Sequence, residues 1–353
     1  MMEAVTLAQV AREAGVSPST VSRILNGTAN VTPEKRARVE SVITRLNYRP
    51  NPQAQALAGG RSLTIGVITP TLNSTFYGEA LAGIEAALND TPYHPIVISG
   101  QWRTEREQEA LDLLLARRVD AVIMMGGILD DQILTHVARR VPLIAVGRDV
   151  RGLDHSCIVL DNTKAMQQVA RHLLDLGHRQ FAYISGAERQ QDAMERRVAL
   201  LDCLDAHGVT VPPELIQMGR YTEEGGLEAA EAILNTGLPF TALVCANDQM
   251  ALGARLALYR RGVSVPGDVS LTGFDDVFTS SLMTPPLTTV RQAIYDIGLT
   301  AAREALNLLD GQPVVRQVFE PELIIRESTA APARPRPAAR ARRGVTAMST
   351  TDG

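Results

Sequence analysis

The 353-residue chain is long enough for two or three domains, each able to bury a core, and its 45% apolar and 21% charged residues are the balance of a folded globular protein. Its net charge of −4 divides into +4 over residues 1–62, +4 over 331–353 and −12 between them, so a small basic module sits on an acidic body, as a polyanion-binding head would require. No run approaches the ~18 apolar residues of a membrane span and the start lacks the layout of a secretory leader, so a cytoplasmic protein without membrane contact is expected.

Leu7, Val10, Ala11 and Ala14 recur at helical spacing behind Thr6, a good N-cap, and Gly15 follows where the helix should stop. Ser17-Pro18 opens a second helix with a cap and a proline at its first position, and Val21, Ile24 and Leu25 form its apolar stripe. Two short helices around a tight Gly-Val-Ser turn read as a helix-turn-helix. A third helix begins at Thr32-Pro33, with Val39, Val42, Ile43 and Leu46 inward. Such a unit places the N-terminal side chains of one helix where they can enter the major groove. Pro18, Ser19 and Arg23 lie on the exposed face; arginine can pair bidentately with guanine, whereas Ser19 is a short, less discriminating reader. Thr6, Ser17, Thr20, Ser22 and Asn26 are assigned with them to the DNA-facing set. A helical hairpin that binds protein is the alternative.

Residues 51–60, "NPQAQALAGG", are too few for a stable free helix and read as a hinge or a plain linker. From Leu63 onward short β-branched runs alternate with helical patterns: "TIGVIT" at 64–69, "PIVIS" at 95–99, "AVIMM" at 121–125, "PLIAV" at 142–146, "CIVLD" at 157–161, then "FAYIS" at 181–185, "ALVCA" at 242–246 and "VSLTG" at 269–273. This rhythm argues for parallel sheets wound by right-handed crossovers, and the number of strands favours two lobes. Ligands of open α/β sheets sit beyond the carboxyl ends of the strands. Arg148, Asp161, Asn247, Asp248, Asp275 and Asp276 fall there. Asp, Asn and Arg can pair with sugar hydroxyls while an aromatic face covers the ring. Asp276 is read as a cap for the following helix, and Arg196, in the charged run Glu195-Arg196-Arg197, would by local pattern lie on a solvated face.

"VTLAQVAREAGVSPSTVSRILNG" with "LNYRPN" between Val5 and Asn51, "LVCANDQMALGA" at 243–254, "GFDD" at 273–276 and "PPLTTVRQ" at 285–292 together resemble the lactose/galactose repressor family over about residues 5–327. The resemblance implies an α/β protein: a three-helix headpiece followed by a bilobed, type I periplasmic-binding-protein-like effector domain with two parallel sheets, the chain crossing between lobes near 162, 290 and 320. It implies a hinge helix that orders on DNA in the dimer and inserts Leu57 into the minor groove. It also implies effector contacts from Arg196, Asn247 and Asp275, stacking by Tyr221 and, through a looser match, a contact from Phe76. Gly147 departs from the pattern, since relatives often place Asp or Asn there.

The expected division is a headpiece at 1–50, a hinge at 51–62, an effector-binding and dimerisation body at 63–330 and a Pro/Arg-rich tail at 331–353 that cannot form a core. The tail lacks leucine heptads, so a homodimer is expected. Cys157, Cys203 and Cys245 are too scattered for a disulfide framework or a metal knuckle and are read as buried thiols. No nucleophile elbow, P-loop or HExxH motif is present, and Gly225-Gly226 is read as a turn, so no enzyme, cofactor or metal is expected. The function expected is a repressor of carbohydrate-utilisation genes on a pseudopalindromic operator, governed by a small sugar; an activator would share every motif.

Overall fold

The computed structural model describes residues 5–25, 29–48 and 61–333; Asn26, Leu57, the hinge from 51 to 60 and the tail from 334 lie outside the described residues. Three helices, α1 (Leu7–Ala14), α2 (Pro18–Leu25) and α3 (Pro33–Arg45), make the first unit. Thr6 and Gln9 form a reciprocal capping box at α1, and Gly15 ends the helix at φ 64°, a left-handed conformation that glycine adopts without a Cβ clash. Ser17 starts α2 by accepting the Thr20 N–H at 3.2 Å. Val10, Ala11, Ala14, Val21, Ile24, Val39, Val42 and Tyr48 are its buried core, with Ile43 and Leu46 packed against them half-buried.

The body alternates strands and helices: β1 (Thr64–Thr69), α4 (Thr75–Leu88), β2 (His94–Ser99), α5 (Thr104–Ala116), β3 (Ala121–Met125), α6 (Asp131–Ala138), β4 (Leu143–Val146) and β5 (Cys157–Leu160). There follow α7 (Asn162–Asp175), β6 (Phe181–Ser185), α8 (Gln191–Asp205), β7 (Ile216–Met218), α9 (Glu223–Asn235), β8 (Ala242–Cys245), α10 (Asp248–Arg260) and β9 (Ser270–Thr272). The last elements are β10 (Thr289–Arg291), α11 (Ile294–Leu309), β11 (Gln317–Phe319) and β12 (Glu322–Ile324). A six-stranded parallel sheet, β11-β5-β4-β3-β1-β2, forms the first lobe, and a four-stranded parallel sheet, β7-β6-β8-β9, the second. The antiparallel pair β10–β12 carries the chain between them. The chain thus passes from lobe to lobe after β5, between β10 and α11, and between β11 and β12. Strands β3, β4, β5, β6, β8 and β9 are buried at every residue, which is why the sequence shows mostly apolar runs in all but β9, where Ser270 and Thr272 flank Leu271.

The helices that flank each sheet approach closely. A Cβ on Gly298 of α11 would stand 2.0 Å from the Ala80 carbonyl oxygen of α4, and one on Gly253 of α10 1.9 Å from the Glu223 carbonyl oxygen of α9. Gly226 belongs to this second contact, whereas Gly225 packs on the segment before α9, where a Cβ would stand 1.9 Å from the Gly219 carbonyl oxygen. Both lie inside α9, and a Cβ on Gly226 would meet the Met250 backbone at 2.3 Å, so they are packing glycines and not the turn that the sequence suggested. Among the described residues the three cysteines are free and buried, no His/Cys/Asp/Glu cluster could hold a metal, and no helix is long and apolar enough to cross a membrane.

Candidate functional site

The carboxyl ends of both sheets face each other across a cleft, and the side chains that line it come from both lobes. Arg196 is its most constrained group. Its side chain is 5% exposed, its Nε donates to Asn162 Oδ1 at 2.9 Å and its Nη1 to the Ala246 carbonyl at 2.7 Å. Its guanidinium lies 3.6 Å over the Phe274 ring. Asp192 Oδ2 is 3.6 Å from Nη2 and Asp275 Oδ1 4.0 Å from Nη1. The solvated helix face suggested by the charged run is therefore wrong for this position. Burial pushes the Asp275 carboxyl well above the usual carboxylate range, against the pull of Arg196, and Gln292 Nε2 donates to it at 2.7 Å.

Asn247 caps α10, accepting the Met250 N–H at 2.9 Å, and Tyr221 donates its hydroxyl to Asp192 Oδ2 at 3.0 Å. From the first lobe come Phe76, packed edge-on against Tyr77, and Arg148. Arg148 Nη1 donates to the carbonyls of Gly127 at 3.2 Å and Leu129 at 2.8 Å, and Nη2 pairs with Asp131. Glu107 holds the same loop from the other side, accepting the N–H groups of Ile128 at 2.8 Å and Leu129 at 3.0 Å. Burial raises the Glu107 pKa and those two hydrogen bonds oppose the rise. Arg148 is thus mainly a clamp on the 127–131 loop, yet its buried Nε has no hydrogen-bond partner among the described residues.

The cleft therefore brings together Phe76, Arg148, Arg196, Tyr221, Asn247 and Asp275. It does not include Asp161. That carboxylate caps α7, accepting the Lys164 N–H at 2.8 Å, and its neighbour Asn162 faces the cleft instead. Asp276 is no helix cap either: it pairs with Arg291 at 2.9 Å and Arg326 at 2.6 Å. Asp248 is structural as well, accepting from the Val277 N–H and from the Ser280 and Thr289 hydroxyls. Sequence reasoning missed Asn162, Asp192, Gln292 and Trp102. Asp192 stands four residues before Arg196 on α8, and Trp102 follows β2, so the rule that ligands lie beyond strand ends would have reached the tryptophan had it been applied to "PIVIS".

In the headpiece Thr6, Pro18, Ser19 and Arg23 are exposed and Thr20 and Ser22 half-buried, so all six reach solvent on the α1–α2 side. The Ser17 hydroxyl is shared with those of Ser19 at 2.9 Å and Thr20 at 2.8 Å.

The family model "Bacterial regulatory proteins, lacI family" matches residues 6–51, and the "Periplasmic binding protein-like domain" model matches residues 170–329. The HTH-type transcriptional regulator GalR of Escherichia coli (strain K12) is 33% identical over 330 residues, 93% of this chain and 96% of that protein. Catabolite control protein A of Staphylococcus xylosus is 33% identical over 91% of this chain and 96% of its own length. Among solved structures, the Lac repressor dimer bound to operator and the anti-inducer ONPF superposes with a TM-score of 0.83 at 32% identity, covering 93% of this chain and all of that one. A CelR–cellobiose complex matches with a TM-score of 0.69 at 29% identity over 92% of this chain and 99% of that one.

Proposed function

The chain belongs to the lacI family of bacterial regulatory proteins, and from that premise we propose that it is a repressor of carbohydrate-utilisation genes whose grip on a pseudopalindromic operator changes when a neutral sugar fills the cleft. It is a DNA-binding transcriptional regulator and not an enzyme. The observation that carries the sugar reading is the charge state of the cleft. Among the described residues the two cations lining it, Arg148 and Arg196, are already matched, one by Asp131 and the other by Asp192 and Asp275. No cation is left over to neutralise a phosphate or carboxylate, and an anion added beside Asp192 would meet repulsion. Amides, carboxylates and the unpartnered Arg148 Nε suit hydroxyl groups, which both donate and accept, and Phe76 and Tyr221 offer apolar faces to a ring. The named ligands of the solved relatives, ONPG for the Lac repressor and cellobiose for CelR, are of the same chemical class.

On this reading Arg148, Arg196, Asn247, Asp275, Phe76 and Tyr221 contact or position the effector, and Asp161 does not. Pro18, Ser19 and Arg23 read bases, with Thr6, Ser17, Thr20, Ser22 and Asn26 beside them, and Leu57 wedges the minor groove. The working units are the headpiece 1–50, the hinge 51–62, the body 63–330 and the tail 331–353, in a cytoplasmic homodimer. Dimerisation is supported by an apolar stripe on α10, Leu252, Leu256 and the 70% exposed Tyr259, adjoining Phe278 at 75% and Leu282 at 65% exposure, more apolar surface than a lone soluble chain usually leaves open.

A thermal-shift screen of neutral sugars, sugar phosphates and nucleobases tests the effector class. A ligand at about 100 times its dissociation constant stabilises by roughly 2.7 kcal/mol. Stabilisation by a sugar phosphate but by none of the neutral sugars would refute the charge argument.

A further inference from the structure

We propose that Trp102 and Tyr221 form a two-lobe aromatic latch that covers the C–H face of a neutral pyranose, which makes Trp102 a specificity-determining residue for the effector. The inference rests on the sugar-sensing reading above and adds a residue from the opposite lobe.

The same local device occurs once in each lobe. After the edge strand β2 the chain runs Gly100-Gln101-Trp102 into α5, and after the edge strand β7 it runs Gly219-Arg220-Tyr221 into α9. In both, two successive non-glycine residues hold the left-handed conformation: Gln101 and Trp102 at φ 56° and 53°, Arg220 and Tyr221 at 55° and 60°. Side chains rarely adopt that region, and where they do so in pairs the surrounding structure must enforce it, commonly at a ligand clamp. Here the result is that each lobe aims one ring at the mouth of the cleft. The ring centroids stand 6.5 Å apart with a 41° tilt, close enough to touch and too close to admit a sugar between them. The rings therefore form a roof over the ligand and do not sandwich it.

Trp102 also fixes the depth of the cleft. Its Cη2 lies 3.2 Å from where a Cβ on Gly126 would stand, so the indole rests on the backbone at the end of β3. It lines both the cleft and an outer groove beside Ile128, Arg189 and Met218, and so forms the wall between them. Ser74 Oγ donates to Gln249 Oε1 at 3.1 Å across the same mouth. A ligand under this roof presents one apolar ring face to it and its hydroxyls to Asp192, Asp275 and Asn247. That is the division of a neutral pyranose, in which C–H groups gather on one face.

Trp102 is the chain's single tryptophan, so its fluorescence reports the latch without labelling. The full chain is titrated with glucose, galactose, xylose, maltose, lactose and cellobiose, following thermal shift and tryptophan emission together. The sugar that stabilises the fold should also shift the emission to the blue and protect it from acrylamide. Trp102→Ala should weaken that sugar roughly tenfold or more, in line with loss of one buried aromatic face. Trp102→Tyr should restore most of the affinity. Stabilisation by a sugar without any change in emission, or with unaltered affinity in Trp102→Ala, overturns the latch alone. Silence of the whole panel in the thermal assay overturns the sugar reading and the latch with it.

Discussion

Arg196→Met is the perturbation for which the structure gives the sharpest magnitude. The side chain is 5% exposed and makes two good hydrogen bonds, to Asn162 Oδ1 and the Ala246 carbonyl, besides facing Asp192 and Asp275. Methionine fills the stem volume but leaves those acceptors unpaired. Hydrogen bonds from a charged donor contribute about 1.5–3 kcal/mol each, and breaking a buried ion pair from one side costs about 3–5 kcal/mol. The two figures overlap, and Asp275 can relieve part of the loss by taking a proton, so a net cost of about 3–4 kcal/mol is expected in urea unfolding at pH 7. Removing the arginine lifts the Asp275 pKa further above its unfolded value of about 3.9. A group with a raised folded pKa gives its full stability below the unfolded value and loses it as pH rises through the folded one, so the deficit should be larger at pH 8 than at pH 5. Arg196→Met/Asp275→Asn removes the stranded charge and should recover about 2 kcal/mol relative to additivity. A single-variant cost below about 1 kcal/mol, or strict additivity in the double variant, would show that Arg196 is not the electrostatic centre of the second lobe.

Leu256→Glu and Tyr259→Asp, placed on the open stripe of α10, should turn the dimer into monomers in sedimentation and lower operator affinity without unfolding either lobe; unchanged sedimentation would move the interface elsewhere. Arg23→Ala should cost about 1–3 kcal/mol at one base position per half-site in gel-shift titrations, whereas a uniform loss with a smaller salt slope would make it a phosphate contact. Burial pushes the Asp248 pKa up to about 6, its hydrogen bonds to Ser280, Thr289 and Val277 opposing. The parent's stability relative to Asp248→Asn should therefore shrink by up to about 3 kcal/mol between pH 4 and pH 7, and a pH-independent difference would contradict a raised carboxyl.

The headpiece was legible in the sequence because its determinants are local: the Thr6 capping box, the Gly15 stop and the Ser17-Pro18 start each act within one turn of chain, and the apolar stripes need only helical spacing. The strand rhythm of the body was legible for the same reason, since strands buried on both faces must read as unbroken apolar runs. Polar residues after those strands marked the region of the cleft but not which side chains face it. A single step along the start of α7 separates Asp161, which turns back to cap the helix, from Asn162, which meets Arg196, and no local pattern distinguishes the two. Arg196 itself looked like surface because its neighbours in sequence are charged, whereas its neighbours in space are Phe274, Ala246 and Asp275. Gly226 looked like a turn until α10 was laid against it, and Gly225 until the Gly219 backbone was. Trp102 and Tyr221 belong to different lobes, and only the crossings after β5 and around β10–β12 bring their rings together. Helix, strand and turn were fixed by forces that act over a few residues; the identity of the site was fixed by contacts between segments from tens of residues apart, such as Asn162 and Arg196, to more than a hundred, such as Trp102 and Tyr221, which exist only once the sheets have formed and, for the latter pair, closed on each other.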